Sequence, residues 1–160
     1  MKRTVDHSPD TPAYDSEMVL RAAAAQETLD TYQGRALRLG TNDCVRMTAA
    51  HLRRMGYKVK LPPAGSYGTI RAAKRALKQR GFASPADALD AMGFARIAPA
   101  AAIAADIVML PGEDELGSFT VSLGNGRVVG FHPDAPNAGA AVLQPVQFVA
   151  AWRVPPMGRR

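Results

Sequence analysis

The chain has 160 residues, enough for one domain, and 47% of them are hydrophobic and 21% charged, as in an average globular protein. It has 20 Lys and Arg against 14 Asp and Glu, and the resulting charge of +6 favours an anionic partner such as nucleic acid, an acidic wall polymer or a membrane surface. A single cysteine excludes an internal disulfide, and histidines at 7, 51 and 132 have no metal-ligand spacing, so we expect neither a metal nor a cofactor.

The two ends of the chain differ in composition from its middle. Residues 1–15 are polar and contain Pro9 and Pro12, which predicts a flexible N-terminal arm, and residues 155–160 are expected to form a basic C-terminal tail. Residues 16–154 are expected to form a single domain. The sequence has no apolar run typical of a secretory signal or a membrane span, so we expect synthesis in a cytoplasm and no membrane span.

Four segments of the first half have the apolar spacing of amphipathic helices. The spacing predicts helices over residues 16–32, 44–55 and 69–80, and a short helix from Pro85 that ends before Gly93. The first helix is expected to face the core with Met18, Val19, Ala22, Ala23, Gln26 and Leu29. The third is expected to turn Ile70, Ala73 and Leu77 inward and Arg71, Lys74, Arg75 and Lys78 outward.

The second half changes to the two-residue period of β-strands. Strands are expected over residues 107–110, 119–123, 127–131, 141–143 and 151–154. Asn125-Gly126 between two of them is typical of the tight turn of a hairpin. Helices followed by a meander of strands predict an α+β fold, in which the N-terminal helices pack on a small antiparallel sheet formed by the C-terminal half.

Cys44 is the most distinctive local feature, because it directly follows Asn42-Asp43 at the start of the second predicted helix. Helix N-termini in general favour thiolates, and their N–H groups can stabilise the oxyanion of an acyl transfer. The position therefore suits a nucleophile. The other interpretation is a small buried apolar residue, since cysteines are commonly buried.

A cysteine nucleophile needs a base, normally histidine, within hydrogen-bonding distance. His51 lies ~10 Å further along the same helix, at ~1.5 Å per residue, which is too far for direct pairing, and we expect it to be partly exposed. His7 falls in the predicted arm. His132, after the second hairpin strand, is therefore the candidate base for Cys44, and its other interpretation is a surface residue in the turn before Pro133.

Positive charge is concentrated in the middle of the sequence. Between Arg35 and Arg80 there are 12 basic residues and one acid, Asp43, whereas the rest of the chain has 8 basic and 13 acidic residues. A basic nucleic-acid-binding protein is one explanation, but only Tyr57 and Tyr67 in this stretch could stack on bases. A solvated helix face explains part of the charge, so nucleic acid is not the partner we expect.

Three motifs resemble, in order, those of the NlpC-type cysteine peptidases, which are papain-like peptidoglycan endopeptidases. They are Gly40-Thr41-Asn42-Asp43-Cys44, Ala105-Asp106-Ile107-Val108-Met109-Leu110 and Ser118-Phe119-Thr120-Val121-Ser122-Leu123-Gly124-Asn125-Gly126. Tyr67-Gly68-Thr69 and a closing Ala151-Trp152-Arg153 are similar to a small branch of that family encoded in phage and prophage tail-gene clusters. The resemblance covers roughly residues 16–154 and implies a papain-like fold with Cys44 as the catalytic thiol.

Three positions depart from the pattern of that family. Ser118 stands where the family has its catalytic histidine, and Ala105 stands where it has the glycine of a Gly-Asp pair. By simple spacing, the family's third polar residue falls around Gly130, two positions before His132. The resemblance therefore implies a structural or assembly protein of a phage tail tip with a degenerate active site, located in the virion tail and bound to other tail proteins. The alternative is an active peptidoglycan endopeptidase that uses Cys44 with a relocated histidine, His132, and meets its substrate in the host periplasm.

Overall fold

The computed structural model describes residues 13–112, 117–132 and 134–157. Within them the chain forms four α-helices and one six-stranded antiparallel sheet, which confirms the predicted α+β class. Residues 1–12 of the predicted arm and residues 158–160 of the predicted tail lie outside the described part of the chain. The first three tail residues follow the domain closely, since the Met157 N–H donates a hydrogen bond to the Met55 carbonyl (2.9 Å).

The four helices match the predicted segments and begin within three residues of them. Three of them start at polar N-caps, where Asp43, Thr69 and Ser84 each accept a hydrogen bond from the backbone N–H three residues later. None of the helices in the described residues is long and apolar enough to cross a membrane. The helices are α1 (Ala13–Tyr32), α2 (Cys44–Arg54), α3 (Ile70–Gln79) and α4 (Pro85–Ala91).

The sheet contains all five predicted strands and one more. Its strands are β1 (Arg96–Ile97), β2 (Ile107–Leu110), β3 (Ser118–Gly124), β4 (Arg127–Phe131), β5 (Ala140–Leu143) and β6 (Ala150–Trp152), in the spatial order β1-β6-β2-β3-β4-β5. The additional strand β1 has only two residues, too few to show an alternation in the sequence. The predicted hairpin joins β3 to β4, and both turn residues, Asn125 and Gly126, have the positive φ angles (54° and 75°) of a type I′ turn.

Side chains that alternate along the strands give the sheet two apolar faces. On the face towards the helices, Phe119 packs with the buried residues of α2 and with Trp152, which is completely buried. Val121 on the same face packs with Met47 of α2. The opposite face carries a smaller cluster built on Val108, Val128 and Ala151.

Helix α1 packs on the sheet through a different face from the predicted one. Val19 is 67% exposed, and Ala22, Ala23 and Gln26 of the predicted face are exposed as well. The prediction was wrong because it followed apolar spacing alone, whereas polar partners bury Arg21 and Thr28. The buried residues of α1 are Arg21, Ala24, Ala25, Thr28 and Tyr32.

A buried carboxylate connects α1, the start of β2 and the end of β6. Asp106 is 0% exposed, and its Oδ1 accepts hydrogen bonds from Arg21 Nη1 (3.1 Å) and the Val154 N–H (3.0 Å). Its Oδ2 accepts a hydrogen bond from the Ile103 N–H (3.0 Å) and lies 3.2 Å from Arg153 Nε. Because Arg21 is also buried, this ion pair fixes α1 to the sheet on which α2 rests.

Candidate functional site around Cys44

Cys44 is the first residue of α2, as predicted, and Asp43 fixes its position. The buried Asp43 carboxylate accepts hydrogen bonds from the Gly40 N–H (2.8 Å), the Arg46 N–H (2.8 Å) and the Tyr67 hydroxyl (3.2 Å). These three bonds tie the loop before the helix, the first helical turn and the segment before α3 to one carboxylate. The start of α2 is therefore held from three sides.

Tyr67 forms one side of this helix start. Burial and then the neighbouring Asp43 carboxylate raise the pKa of Tyr67 to about 12, so its hydroxyl keeps the proton that it donates. The loop packs tightly here, because Gly40 has a φ of +84° and a Cβ at this position would overlap the Tyr67 carbonyl. Only glycine suits this turn.

Cys44 is half-buried and lines an apolar cavity of about 320 Å³ between α2, α3 and α4. Tyr67, Gly117 and Phe119 line it together with Cys44, and α3 forms another wall. The volume is within the range of small-ligand sites, ~300–1,000 Å³. A thiol at a helix N-terminus is thus next to a space that could hold an apolar group.

The sequence did not predict this cavity. Ile70, Ala73 and Leu77 were expected to lie in the core, but they line the cavity and no residue of α3 is buried. The signal was present in the small side chains of the inward face, because Ala73 and Ala76 leave space that larger residues would fill.

His51 was predicted to be partly exposed, and this was wrong, since it is 0% exposed. Its Nε2 donates a hydrogen bond to the Ala105 carbonyl (2.8 Å), and its Nδ1 lies 3.0 Å from Thr28 Oγ1. These polar partners accommodate the ring inside the protein. Burial lowers the pKa of His51 to about 4, so the ring is neutral at pH 7, and both nitrogens are engaged away from Cys44.

His132 follows β4, and half of its side chain is exposed. Its Nδ1 accepts a hydrogen bond from the Asp134 N–H (3.1 Å). Among the described residues that line the cavity there is no histidine. The pairing of Cys44 with His132 stays a prediction.

Ser118, where the resembling peptidase motif has histidine, begins β3 and pairs with Leu110. Because Phe119 faces the helices, alternation directs Ser118 to the opposite face of the sheet. Continuing the β3–β4 register, in which Val121 pairs with Val129, places Ser118 opposite His132. The two positions therefore belong to the same end of the hairpin.

Ala105 has a φ of 76°, in the left-handed region that favours glycine. This is the position at which the resembling motif has glycine. The residue is completely buried, and its carbonyl accepts the hydrogen bond from His51. The backbone thus has a conformation suited to the glycine of that motif although the side chain differs.

The charged groups of the cavity wall are mostly cations. Lys58, Lys60 and Arg80 line it, and Asp43 is the one acid among its described lining residues. Nowhere in the described residues do three or more His, Cys, Asp or Glu side chains come together in a way that could hold a metal ion. The site therefore combines an apolar cavity with cationic side chains and a thiol.

Residues 20–154 match the family described as a domain of unknown function (DUF6950). The chain belongs to this family. The DUF6950 match contains Cys44, the cavity and all six strands, so the domain corresponds to nearly the whole described fold. A search among curated proteins finds no match to the chain.

Within this DUF6950 domain, the described polar side chains closest in sequence or in the cavity wall to Cys44 are already engaged in hydrogen bonds. The carboxylate of Asp43 already accepts three hydrogen bonds, and Tyr67 donates one of them. The Thr48 hydroxyl donates to the Cys44 carbonyl (2.8 Å). The described lining residues therefore provide mainly an apolar surface and few groups that could transfer a proton.

Proposed function

We propose that this chain is a structural or assembly protein of a phage tail tip, built on a degenerate papain-like fold of the NlpC type. The observation that carries the proposal is Ser118, which stands where the resembling peptidase motif has its catalytic histidine. A serine hydroxyl cannot act as the base that a cysteine nucleophile needs. The surrounding fold is nevertheless well packed, as binding to other proteins requires.

Support for the NlpC-type fold comes from the order of its elements. A helix begins at Cys44, an antiparallel sheet follows, Asp106 directly precedes β2, and the β3–β4 hairpin turns at Asn125-Gly126. This is the order of the peptidase motifs that the sequence resembles. Reuse of an enzyme fold without its chemistry is physically straightforward, because packing residues and catalytic residues are largely separate sets.

The position of Cys44 at a helix start favours a second candidate, an active endopeptidase that uses His132. We expect the purified chain to release no more soluble muropeptides from peptidoglycan than its Cys44→Ala variant, because no histidine lines the described cavity. Chromatography of the digest measures the release. Muropeptides that appear with the wild-type chain and disappear in both Cys44→Ala and His132→Ala would establish the enzyme and contradict our proposal.

The assembly role predicts a different result in the phage or prophage that encodes the chain. Deleting the gene should prevent complete tails, and plasmid-borne wild-type and Cys44→Ala chains should restore the infectious titre equally, since the thiol has no catalytic task. A chain that lacks residues 1–12, which precede α1, tests the predicted arm and should fail to enter tails. Normal tails without any copy of the chain, seen by electron microscopy, would rule out the role.

A further inference from the structure

The cavity beside Cys44 extends under the full length of α3. Ile70 and Tyr67 line it at the N-terminal end of that helix, and Leu77 and Phe82 at the other. Ten residues of helix span ~15 Å. None of the ten residues of α3 is buried, so the apolar face of this helix is open towards the cavity.

The buried and half-buried polar side chains Asp43, Thr48 and Tyr67 of the wall already form hydrogen bonds within the chain. Asp43 and Tyr67 are joined by a hydrogen bond (3.2 Å), and Thr48 donates to the Cys44 carbonyl (2.8 Å). An occupant with many hydrogen-bonding groups, such as a sugar, would lose its contacts with water and gain few in return. The interior therefore favours apolar side chains.

Cations surround this apolar space. Lys58, Lys60 and Arg80 line it and are exposed, and Arg80 Nη1 donates to the Lys60 carbonyl (2.6 Å), which holds two of them together. From residue 44 to residue 80 the sequence contains no acid. Positive charge continues on the outer face of α3 through Arg71, Lys74, Arg75 and Lys78, all exposed.

We propose that the cavity binds an amphipathic segment of a partner protein, with apolar side chains inserted between α2 and α3 and acidic side chains beside Lys58, Lys60 and Arg80. This rests on the proposed assembly role, for which it supplies the docking site. A helix of about three turns matches α3 in length. The positive surface extends well beyond what one carboxylate of a fatty acid would need, which favours a segment with several acidic residues.

A displayed library of random 15-residue peptides tests the proposal on the purified full-length chain. Selection for binding to the wild-type chain alone should enrich peptides that have apolar residues at helical spacing and an excess of Asp and Glu. The best of them should bind Ala76→Trp at least ten times more weakly than the wild-type chain, because Ala76 lines the cavity and the indole would fill it.

Two matched controls separate the cavity from the rest of the surface. Ala72→Trp changes a half-buried alanine on α3 that does not line the cavity, so peptide affinity should stay within about twofold. Lys60→Glu should weaken binding at least fivefold, whereas Arg127→Glu, an exposed charge reversal on β4, should have little effect. The charge reversals keep the test valid if tryptophan disturbs the fold.

Equal affinity for the wild-type chain and both cavity variants would overturn the proposal, as would selected peptides without acidic residues. A third outcome is that no peptide is enriched, while the wild-type chain binds dodecanoate and the Ala76→Trp variant does not. This result would overturn the proposal and assign the cavity to an anionic acyl chain. Peptide binding is measured on the purified chain and tail incorporation in the phage. Failure of the docking site and failure of the assembly role are therefore distinguishable.

Discussion

Replacement of Asp106 by asparagine is expected to lower the free energy of unfolding by about 3–5 kcal/mol, a large part of the stability of a single domain. Asp106 is 0% exposed and its partner Arg21 is 1% exposed. Asparagine has nearly the same size but no charge, so the Arg21 guanidinium would lose its one buried counter-ion among the described residues and keep only the half-exposed Glu17. Urea unfolding, followed by the fluorescence of Trp152, would measure the loss.

Glu17→Gln provides the matched control, because Glu17 contacts the same guanidinium through Arg21 Nε (3.2 Å) but is 40% exposed. Exposed ion pairs contribute ~1 kcal/mol or less. The same acid-to-amide change should therefore have a small effect at Glu17 and a large one at Asp106. Equal losses of unfolding free energy in the two variants would show that burial does not determine how much the Arg21–Asp106 pair contributes to stability.

Acidification from pH 6.5 to pH 4 is expected to destabilise the fold by about 3 kcal/mol through His51. Burial, assisted by the charge of Arg54, lowers the pKa of His51 from 6.5 to about 4, although its hydrogen bond to Ala105 and the charge of Asp106 act in the opposite direction. Between these two pH values the unfolded chain binds a proton that the folded chain does not. Stability is therefore lost as the pH falls through this window, and the His51 contribution is constant above it.

His51→Gln should remove this pH dependence, since glutamine does not titrate. The variant is expected to be less stable at pH 7, because the ring donates to Ala105 and contacts Thr28. His132→Gln is the matched control, because it makes the same change at a half-exposed histidine that follows β4. The slopes come from urea midpoints between pH 4.5 and pH 7, and a slope that persists in His51→Gln would assign the loss to other groups.

The sequence predicts the elements of this fold well where local chemistry decides them. The helix starting at Cys44 depends on the N-cap Asp43, and the β3–β4 hairpin depends on Asn125-Gly126, whose residues accept positive φ angles. Each signal lies within a few residues of the structure that it causes. Such short-range preferences are readable without knowledge of the tertiary fold.

Buried polar networks were not predictable in the same way. Arg21 and Thr28 lie in the core because Asp106 and His51, far away in the chain, meet them there. Apolar periodicity treats such residues as exposed. The face of α1 and the burial of His51 were therefore both predicted wrongly for the same physical reason.

The candidate site was predicted in part. Cys44 at a helix start follows from its neighbours, whereas the cavity depends on how far α3 stands from α2 and α4. That distance is set by tertiary packing, and alanines on the inward face of α3 allow it. The pairing of Cys44 with His132 depends on the distance between the start of α2 and the end of β4, which spacing in the sequence does not determine.

Cys44 also provides a native site for chemical labelling of the cavity wall. It is the one cysteine in the chain, and it lies in the wall of the cavity. We expect an alkylating reagent such as iodoacetamide to modify this position in the native protein, without engineered labels. An occupant of the cavity should slow the modification, which mass spectrometry can follow in purified protein and in assembled particles alike.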